Sequence, residues 1–313
     1  MQPHSIIGSE PRWRIATGWI AVVLNTATAA LWAYWGSIEA FHEGWWHASL
    51  TSNLAWTFAY LVPATLFVAL GLIGTRWPRA GAVIILAFTI WFWWWWNVPA
   101  RLASGGGNTL VGLVMTGTAG LFAAMWWLGR PRPRSKAMLF TAAIPLLVGI
   151  AFGAEPAWRI AHRLDDGNTC EREIVGNGVR LTWAPDGPGF PGRAQNWREA
   201  NNIADHLSQD GLTVVESPQH FWRLPTREEL VRSMVRHGKN AGGTWDAASQ
   251  RADYETLPDK ESPLWNPHSE VIYWWSSDEA DDKLAWSITY AGMLVPRSKE
   301  ARMGTLGFRL VRR

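Results

Sequence analysis

The chain has 313 residues, a length typical of about two domains. Its net charge of +3 is small and its basic residues form no basic–aromatic face, so we predict no nucleic-acid partner. The mean hydropathy of -0.07 averages two unlike parts, because residues 15–154 are largely apolar and residues 155–313 are rich in charged residues, Asn and Gly. The one cysteine, Cys170, allows no internal disulfide and so says nothing about the redox compartment.

Five apolar runs without Asp, Glu, Lys or Arg follow one another in the N-terminal part. Each is about 18–21 residues long, enough for a helix to cross a hydrocarbon core of about 30 Å. A segment isolated in lipid must satisfy its own backbone hydrogen bonds, so helix is the expected state. The predicted transmembrane helices are residues 15–35, 54–74, 80–98, 109–128 and 137–154. Together they predict an α-helical multi-pass membrane domain over residues 15–154.

Lys and Arg occur in alternate connections between these runs. Basic residues lie in the N-terminal tail and in the second-to-third and fourth-to-fifth loops, whereas residues 36–53 have none and residues 99–108 have only Arg101. Because cytoplasmic loops are enriched in Lys and Arg, residues 1–14 are predicted to be a cytoplasmic tail. Five crossings then place residues 155–313 outside. Cleavage of the first run as a signal peptide is the alternative, and it gives the same placement.

Tryptophan is concentrated at the ends of these runs. The chain has 24 tryptophans, including the run WFWWWW at Trp91–Trp96 and the pair Trp126 and Trp127. Indole rings are enriched at membrane interfaces, which predicts an interfacial belt, and an aromatic platform for a lipid or a sugar is the alternative. The small residues of TGTAG, 116–120, favour close helix packing and suggest a homo-oligomer.

The first outer loop, SIEAFHEGWWHASL at 37–50, concentrates residue types that ligate metal ions. Carboxylate and imidazole groups bind zinc and similar ions, and Glu39, His42 and Glu43 would share one face of a helix. His47 follows His42 by five residues, which is not the metalloprotease spacing. Two interpretations stay open: a divalent metal site formed by these four residues, or an interfacial loop whose His and Glu hydrogen-bond to neighbouring elements.

The part after the membrane domain predicts a mixed α and β domain. Residues 155–174 are predicted to be a junction, followed by a strand at 179–183 and an amphipathic helix that stops at Gly211. Thr226 and Glu229 have the spacing of a capping box at the start of a second helix. The remaining predicted strands are 271–277, 284–290 and 292–298, as a meander, and 306–313 as the last strand.

Several of these segments resemble the C-type-lectin-like domains of bacteria. They are similar to the Lcl C-terminal (DUF1566-type) group and to the related formylglycine-generating enzyme, or sulfatase-modifying factor, family. The segments are WRLPTREEL at 222–230, YWWSSDEADDKLAWSI at 273–288, GFRLVR at 307–312 and LTWAPDGPGFPGRAQNWREANNIADHL at 181–207. The resemblance covers roughly residues 175–313 and implies an α+β C-type-lectin-like ectodomain in which the segments 179–183 and 307–312 pair.

The resemblance also implies a bacterial source, and hence helices that lie in the inner (cytoplasmic) membrane. The oxygenase branch of the family uses two cysteines late in the domain, and this chain has none after Cys170. The resemblance therefore implies the fold without that activity, because fold alone does not carry function. We expect a binding protein rather than an enzyme.

Two features of this domain are candidate ligand sites. The acidic residues Asp278, Glu279, Asp281 and Asp282, and a second acidic stretch at 253–261, could bind calcium through their oxygens. Neither has EF-hand spacing, and solvated acidic loops are the favoured interpretation. Trp245 and Trp275 could form part of a sugar-stacking surface, although most tryptophans here are expected in the core.

Three functions follow as hypotheses. The favoured one is a membrane-anchored extracytoplasmic binding protein that recognises a glycan, a peptide or another envelope protein. The second is a metal-dependent membrane enzyme or metal-binding protein that uses the Glu/His cluster of the outer loop. The third is a structural or assembly protein that forms an oligomeric surface layer.

Overall fold

The computed structural model describes residues 10–104 and 109–312, with side chains described at 10–94 and 116–312. All five apolar runs form helices: α1 (Arg12–Glu43), α2 (Leu50–Arg76), α3 (Pro78–Ser104), α4 (Thr109–Leu128) and α5 (Arg134–Ala161). Within this described part, α1, α2 and α5 are long and apolar enough to cross a membrane. The prediction of helices able to span a membrane is therefore confirmed for these three in length and composition.

By its contacts the chain divides into two units. The first unit comprises the chain up to Ala40 together with Thr57–Glu155, and the second comprises Phe41–Trp56 together with the chain from Pro156 onward. The α1–α2 connection and the last residues of α5 therefore belong to the second unit.

The first unit packs small and apolar side chains from four helices. Ala21 and Val22 of α1 cluster with buried residues of α3, α4 and α5. Asn25 of α1 is fully buried and donates from Nδ2 to the carbonyl of Phe67 on α2 over 2.9 Å, a polar contact typical of membrane helix pairs. Trp126 is fully buried in this cluster, so its ring packs against neighbouring helices instead of facing outward as expected of a belt residue. Its neighbour Trp127 is exposed, as a belt residue should be.

The second unit is β-rich. In chain order its elements are β1 (Arg172–Val175), β2 (Arg180–Trp183), α6 (Trp197–His206), α7 (Arg227–Ser233), β3 (Val235–Arg236), β4 (Lys239–Asn240), β5 (Thr244–Asp246), β6 (Arg251–Asp253), β7 (Tyr273–Glu279), β8 (Leu284–Thr289), β9 (Leu294–Ser298), β10 (Leu306–Gly307) and β11 (Val311–Arg312). Two sheets, of three and four strands, carry most of this unit, and β3–β4 and β5–β6 form separate hairpins.

The three-stranded sheet joins the two ends of the second unit. Its order is β1-β2-β11, and Val311 of β11 lies opposite Trp183 of β2 in an antiparallel register. The pairing expected between the segments 179–183 and 307–312 is therefore observed. The sheet also includes β1, whose first three residues lie in the stretch 155–174 that was predicted to be a junction.

The four-stranded sheet has the order β10-β7-β8-β9. The antiparallel meander β7-β8-β9 was predicted, and Pro296 of the edge strand β9 lies opposite Trp286. The short strand β10 pairs in parallel with β7. The C-terminal segment is not one strand as predicted, because the buried residues between β10 and β11 carry the chain from one sheet to the other.

Capping and core contacts fix the two short helices. Thr226 accepts from the backbone N–H of Glu229 over 3.2 Å, and Glu229 accepts from the backbone N–H of Thr226 over 2.8 Å, so the predicted capping box is confirmed. Asn196 caps α6 in the same way. The core contains a stack of Trp265 on Trp274 with ring centroids 3.9 Å apart.

Candidate functional site

His42 lies in the last turn of α1, in the part of that helix that belongs to the second unit, and contacts the four-stranded sheet of that unit. Its Nδ1 is 3.1 Å from the hydroxyl of Tyr290, and its Nε2 is 3.3 Å from the hydroxyl of Tyr273. Tyr273 begins β7 and Tyr290 directly follows β8, so antiparallel pairing brings the two hydroxyls to one end of the sheet. Because each hydroxyl can donate or accept, a neutral imidazole satisfies both contacts.

The α1–α2 connection that follows is fixed by its own contacts. The backbone N–H of His47 donates to Asn53 Oδ1 over 3.1 Å, and Asn53 Nδ2 donates to the carbonyl of His47 over 2.9 Å. The ring of His47 stacks on Trp46 with centroids 3.9 Å apart. Trp45 has a φ of 27°, in the left-handed region that costs a non-glycine residue free energy. The segment is therefore an ordered part of the second unit.

The connection is shorter than the loop predicted at 37–50, because α1 continues through Glu43 and only residues 44–49 connect it to α2. Among residues 10–104 and 109–312, no three His, Cys, Asp or Glu side chains are placed to hold a metal ion. Glu39, His42, Glu43 and His47 are thus not brought together as one ligand set. The zinc hypothesis stays a prediction, whereas the contacts of His42 match the hydrogen-bonding interpretation.

A buried carboxylate lies in the same unit. Asp259 is fully buried and accepts from Arg163 Nε and from Arg236 Nη1, each over 3.0 Å. Arg159 Nε lies 3.4 Å from Asp259 Oδ2. The stretch 253–261 was expected to be a solvated acidic loop, which is wrong for Asp259 and for Glu261. Asp259 is buried by contacts with the end of α5 and with β3. Glu261 is also buried and accepts from the backbone N–H of His237 over 2.5 Å.

Further cationic and phenolic groups adjoin this carboxylate. Lys260 is buried and donates from Nζ to the carbonyl of Ser269. Burial, reinforced by the charge of Arg163, lowers the pKa of Lys260 to about 7. The guanidinium of Arg163 also lies 5.3 Å from the ring centroid of Tyr290. Burial raises the pKa of the Tyr290 phenol, which therefore stays protonated at neutral pH.

A second cluster lies at the start of α7, and we call it the Trp–Arg face. The guanidinium of Arg227 is 5.0 Å from the ring centroids of both Trp245 and Trp286. Asp278 Oδ1 is 3.5 Å from Arg227 Nε, and Asp278 Oδ2 accepts from the backbone N–H of Arg227 over 2.6 Å. All four residues are only partly buried. Two of the predicted ligand residues, Asp278 and Trp245, are therefore brought together through an arginine that links them.

The other predicted ligand residues do not join this face. Glu279 pairs with Lys299 over 2.6 Å, and Lys299 also donates to the carbonyl of Asp282. Asp281 accepts from the backbone N–H groups at 283 and 284 and so caps the β7–β8 turn. The acidic oxygens are thus engaged separately. Trp275 is fully buried and donates to the carbonyl of Gln195, so its ring belongs to the core rather than to a ligand surface.

Sequence reasoning missed Arg227, Trp286, Tyr273 and Tyr290. Arg227 follows a capping threonine, where any residue is tolerated, and the two tyrosines lie more than 230 positions from His42, at separations of 231 and 248. No local spacing signals such contacts. Searches of known protein families, of curated proteins and of solved structures find nothing that matches this chain.

Proposed function

We propose that this chain is a membrane-anchored recognition protein of a bacterial cytoplasmic membrane. It displays a non-catalytic C-type-lectin-like domain outside the cell, and that domain binds a glycan through the Trp–Arg face. The five helices anchor it, with the N-terminus in the cytoplasm.

The distribution of basic residues supports the orientation. Helix α1 begins at Arg12, and Arg76 and Arg79 lie on either side of the short α2–α3 connection. The α4–α5 connection carries Arg130 and Arg132, and α5 begins at Arg134. An enrichment of Lys and Arg in alternate connections favours one cytoplasmic side. A reporter enzyme that is active only outside the cytoplasm should be active when it is fused after residue 313. Activity of a reporter that works only in the cytoplasm, fused at the same place, would contradict this orientation.

The topology of the second unit supports the lectin-like fold. Its last strand, β11, pairs with β2 near the start of the domain, and a three-stranded meander follows a long, mostly irregular stretch. These features agree with the motifs quoted above from both ends of the domain.

The Trp–Arg face is the observation that carries the proposal. Trp and Arg are enriched among residues that dominate binding energies, because they combine apolar area with directed polar groups. Indole rings offer flat apolar faces to the C–H faces of sugar rings, and Arg227 with Asp278 supplies a donor and an acceptor. Asp278 restrains the guanidinium, so less conformational entropy is lost on binding.

Binding of full-length protein in lipid nanodiscs to an array of glycans and cell-wall fragments tests the proposal. Trp245→Ala and Arg227→Ala should each weaken the strongest interaction by at least about thirtyfold, the loss of about 2 kcal/mol that marks a hot-spot residue. Arg232→Ala is the matched control, because Arg232 lies on the same helix and pairs with Glu228 but is not part of the face. Equal affinities for all variants, or no glycan binding by the parent protein, would contradict the proposal.

A further inference from the structure

Arg309 is a buried cation whose hydrogen-bond partners are all neutral. It lies between β10 and β11 and is only 1% exposed. Its Nε donates to the carbonyl of Ala184 over 2.9 Å, and its Nη1 donates to the carbonyls of Pro263 and Leu264 over 2.5 and 3.1 Å. Its Nη2 has no partner in the described part of the chain, where Arg309 also forms no ion pair. Buried charges in proteins are usually paired, because an unpaired one is costly.

A small cavity adjoins this guanidinium. It has a volume of about 20 Å³, and both Arg309 and Trp265 line it. The indole Nε1 of Trp265 is buried and likewise has no partner among the described residues. The rest of the lining comes from the loops around Asp165 and Asn266 and from Phe190. Two buried residues with unused N–H donors therefore line the same cavity.

The chemistry of these donors selects the occupant. Unused N–H groups call for an acceptor, and a protonated guanidinium favours a negative one. Burial and the charge of Arg172, opposed by the more distant carboxylates of Asp186 and Asp166, lower the pKa of Arg309 to about 9, which still leaves the group protonated at neutral pH.

The size of the cavity narrows the choice further. A water-sized sphere needs about 10–15 Å³, so the space admits one monatomic ion and is too small for a polyatomic anion. The one carboxylate in the lining, Asp165, is already engaged by the backbone N–H of Gly167 and by His268, over 2.9 and 3.0 Å.

We propose that a chloride ion binds in this cavity, held by Arg309 Nη2 and Trp265 Nε1. The ion supplies a counter-charge in direct contact with the guanidinium, where no carboxylate of the described residues forms an ion pair, and it joins the loops at 165–169 and 262–267 to the C-terminal segment.

Halide dependence of thermal unfolding tests this site in the full-length protein in nanodiscs. At equal ionic strength, chloride and bromide should raise the Tm saturably relative to gluconate, which is too large for the cavity. Crystals grown in bromide should show an anomalous peak beside Arg309. Equal Tm values in chloride and gluconate together with no bromide peak would mean that the cavity holds only water, and would overturn the proposal.

The chain offers a matched pair of variants. Trp265 and Trp183 are both buried, both pack on Trp274 and both have an unpartnered Nε1, but only Trp265 lines the cavity. Trp265→Phe should weaken the apparent halide affinity by about tenfold, and Trp183→Phe should leave it unchanged. A halide effect that is equal in the two variants would place the ion elsewhere. The anomalous peak in the parent protein decides the matter if Trp265→Phe does not fold.

Discussion

Replacing Asp259 by Asn removes the charge on which three guanidinium groups converge. The substitution keeps the volume of the side chain but leaves Arg159, Arg163 and Arg236 without their shared carboxylate. Their side chains are 21%, 8% and 13% exposed, so water can compensate only in part. The amide also turns a donor toward one of these cations.

The expected loss follows from the burial of the cluster. Removing one partner of a buried ion pair costs about 3–5 kcal/mol, because an uncompensated charge stays behind. For a unit of this size, about 1 kcal/mol corresponds to roughly 2–4 °C in Tm, so Asp259→Asn should lower the Tm of the second unit by about 6–20 °C.

Thermal unfolding followed by near-ultraviolet circular dichroism of the full-length protein in nanodiscs measures this Tm, because the stack of Trp265 on Trp274 contributes to the signal. Asp253→Asn is the control, because Asp253 is exposed and the same change there should stay within about 0.5 kcal/mol. A loss below about 1 kcal/mol for Asp259→Asn would refute the reasoning that this carboxylate neutralises a buried cationic cluster.

Two further predictions concern the same unit. The folded-state pKa of Lys260 is lowered to about 7, so between pH 7 and about 10 the unfolded chain binds one more proton than the folded chain. The free energy of unfolding should therefore rise with pH across that window, by up to about 1.4 kcal/mol per pH unit. Unfolding measured as a function of pH should show a smaller rise for Lys260→Met. Gly292→Ala should destabilise by more than Gly167→Ala in thermal unfolding. Both glycines have positive φ, 84° and 63°, and share the left-handed cost of about 1–2 kcal/mol, but only at 292 would the new Cβ collide with the Tyr254 ring; equal losses would contradict that reasoning.

Local patterns carried much of the fold. The five apolar runs became helices, and the Thr226–Glu229 spacing became a capping box, because both depend on neighbours within a few residues. The end of α1 was missed because a hydropathy run stops at its first charge, whereas a helix continues through Glu39 and Glu43 when other contacts support it.

The candidate sites were harder to predict, because their members are far apart in the chain. An acidic stretch looks solvated until its partners are known, and Asp259 meets Arg163 across 96 residues. The Trp–Arg face needed Asp278 beside Arg227, 51 positions away, which only the packing of β7 against α7 provides. For the same reason Trp275 could not be told from a surface tryptophan by its sequence neighbours.

Both edge strands of the four-stranded sheet have features that limit pairing with a strand of another molecule. Strand β9 carries Pro296, which has no N–H to offer, and the opposite edge strand, β10, has only two residues. Both features disfavour the addition of a further strand from another molecule, and so reduce association of neighbouring chains through their backbones. The side chains of this sheet, more than its backbone edges, are therefore the groups that it offers to a partner.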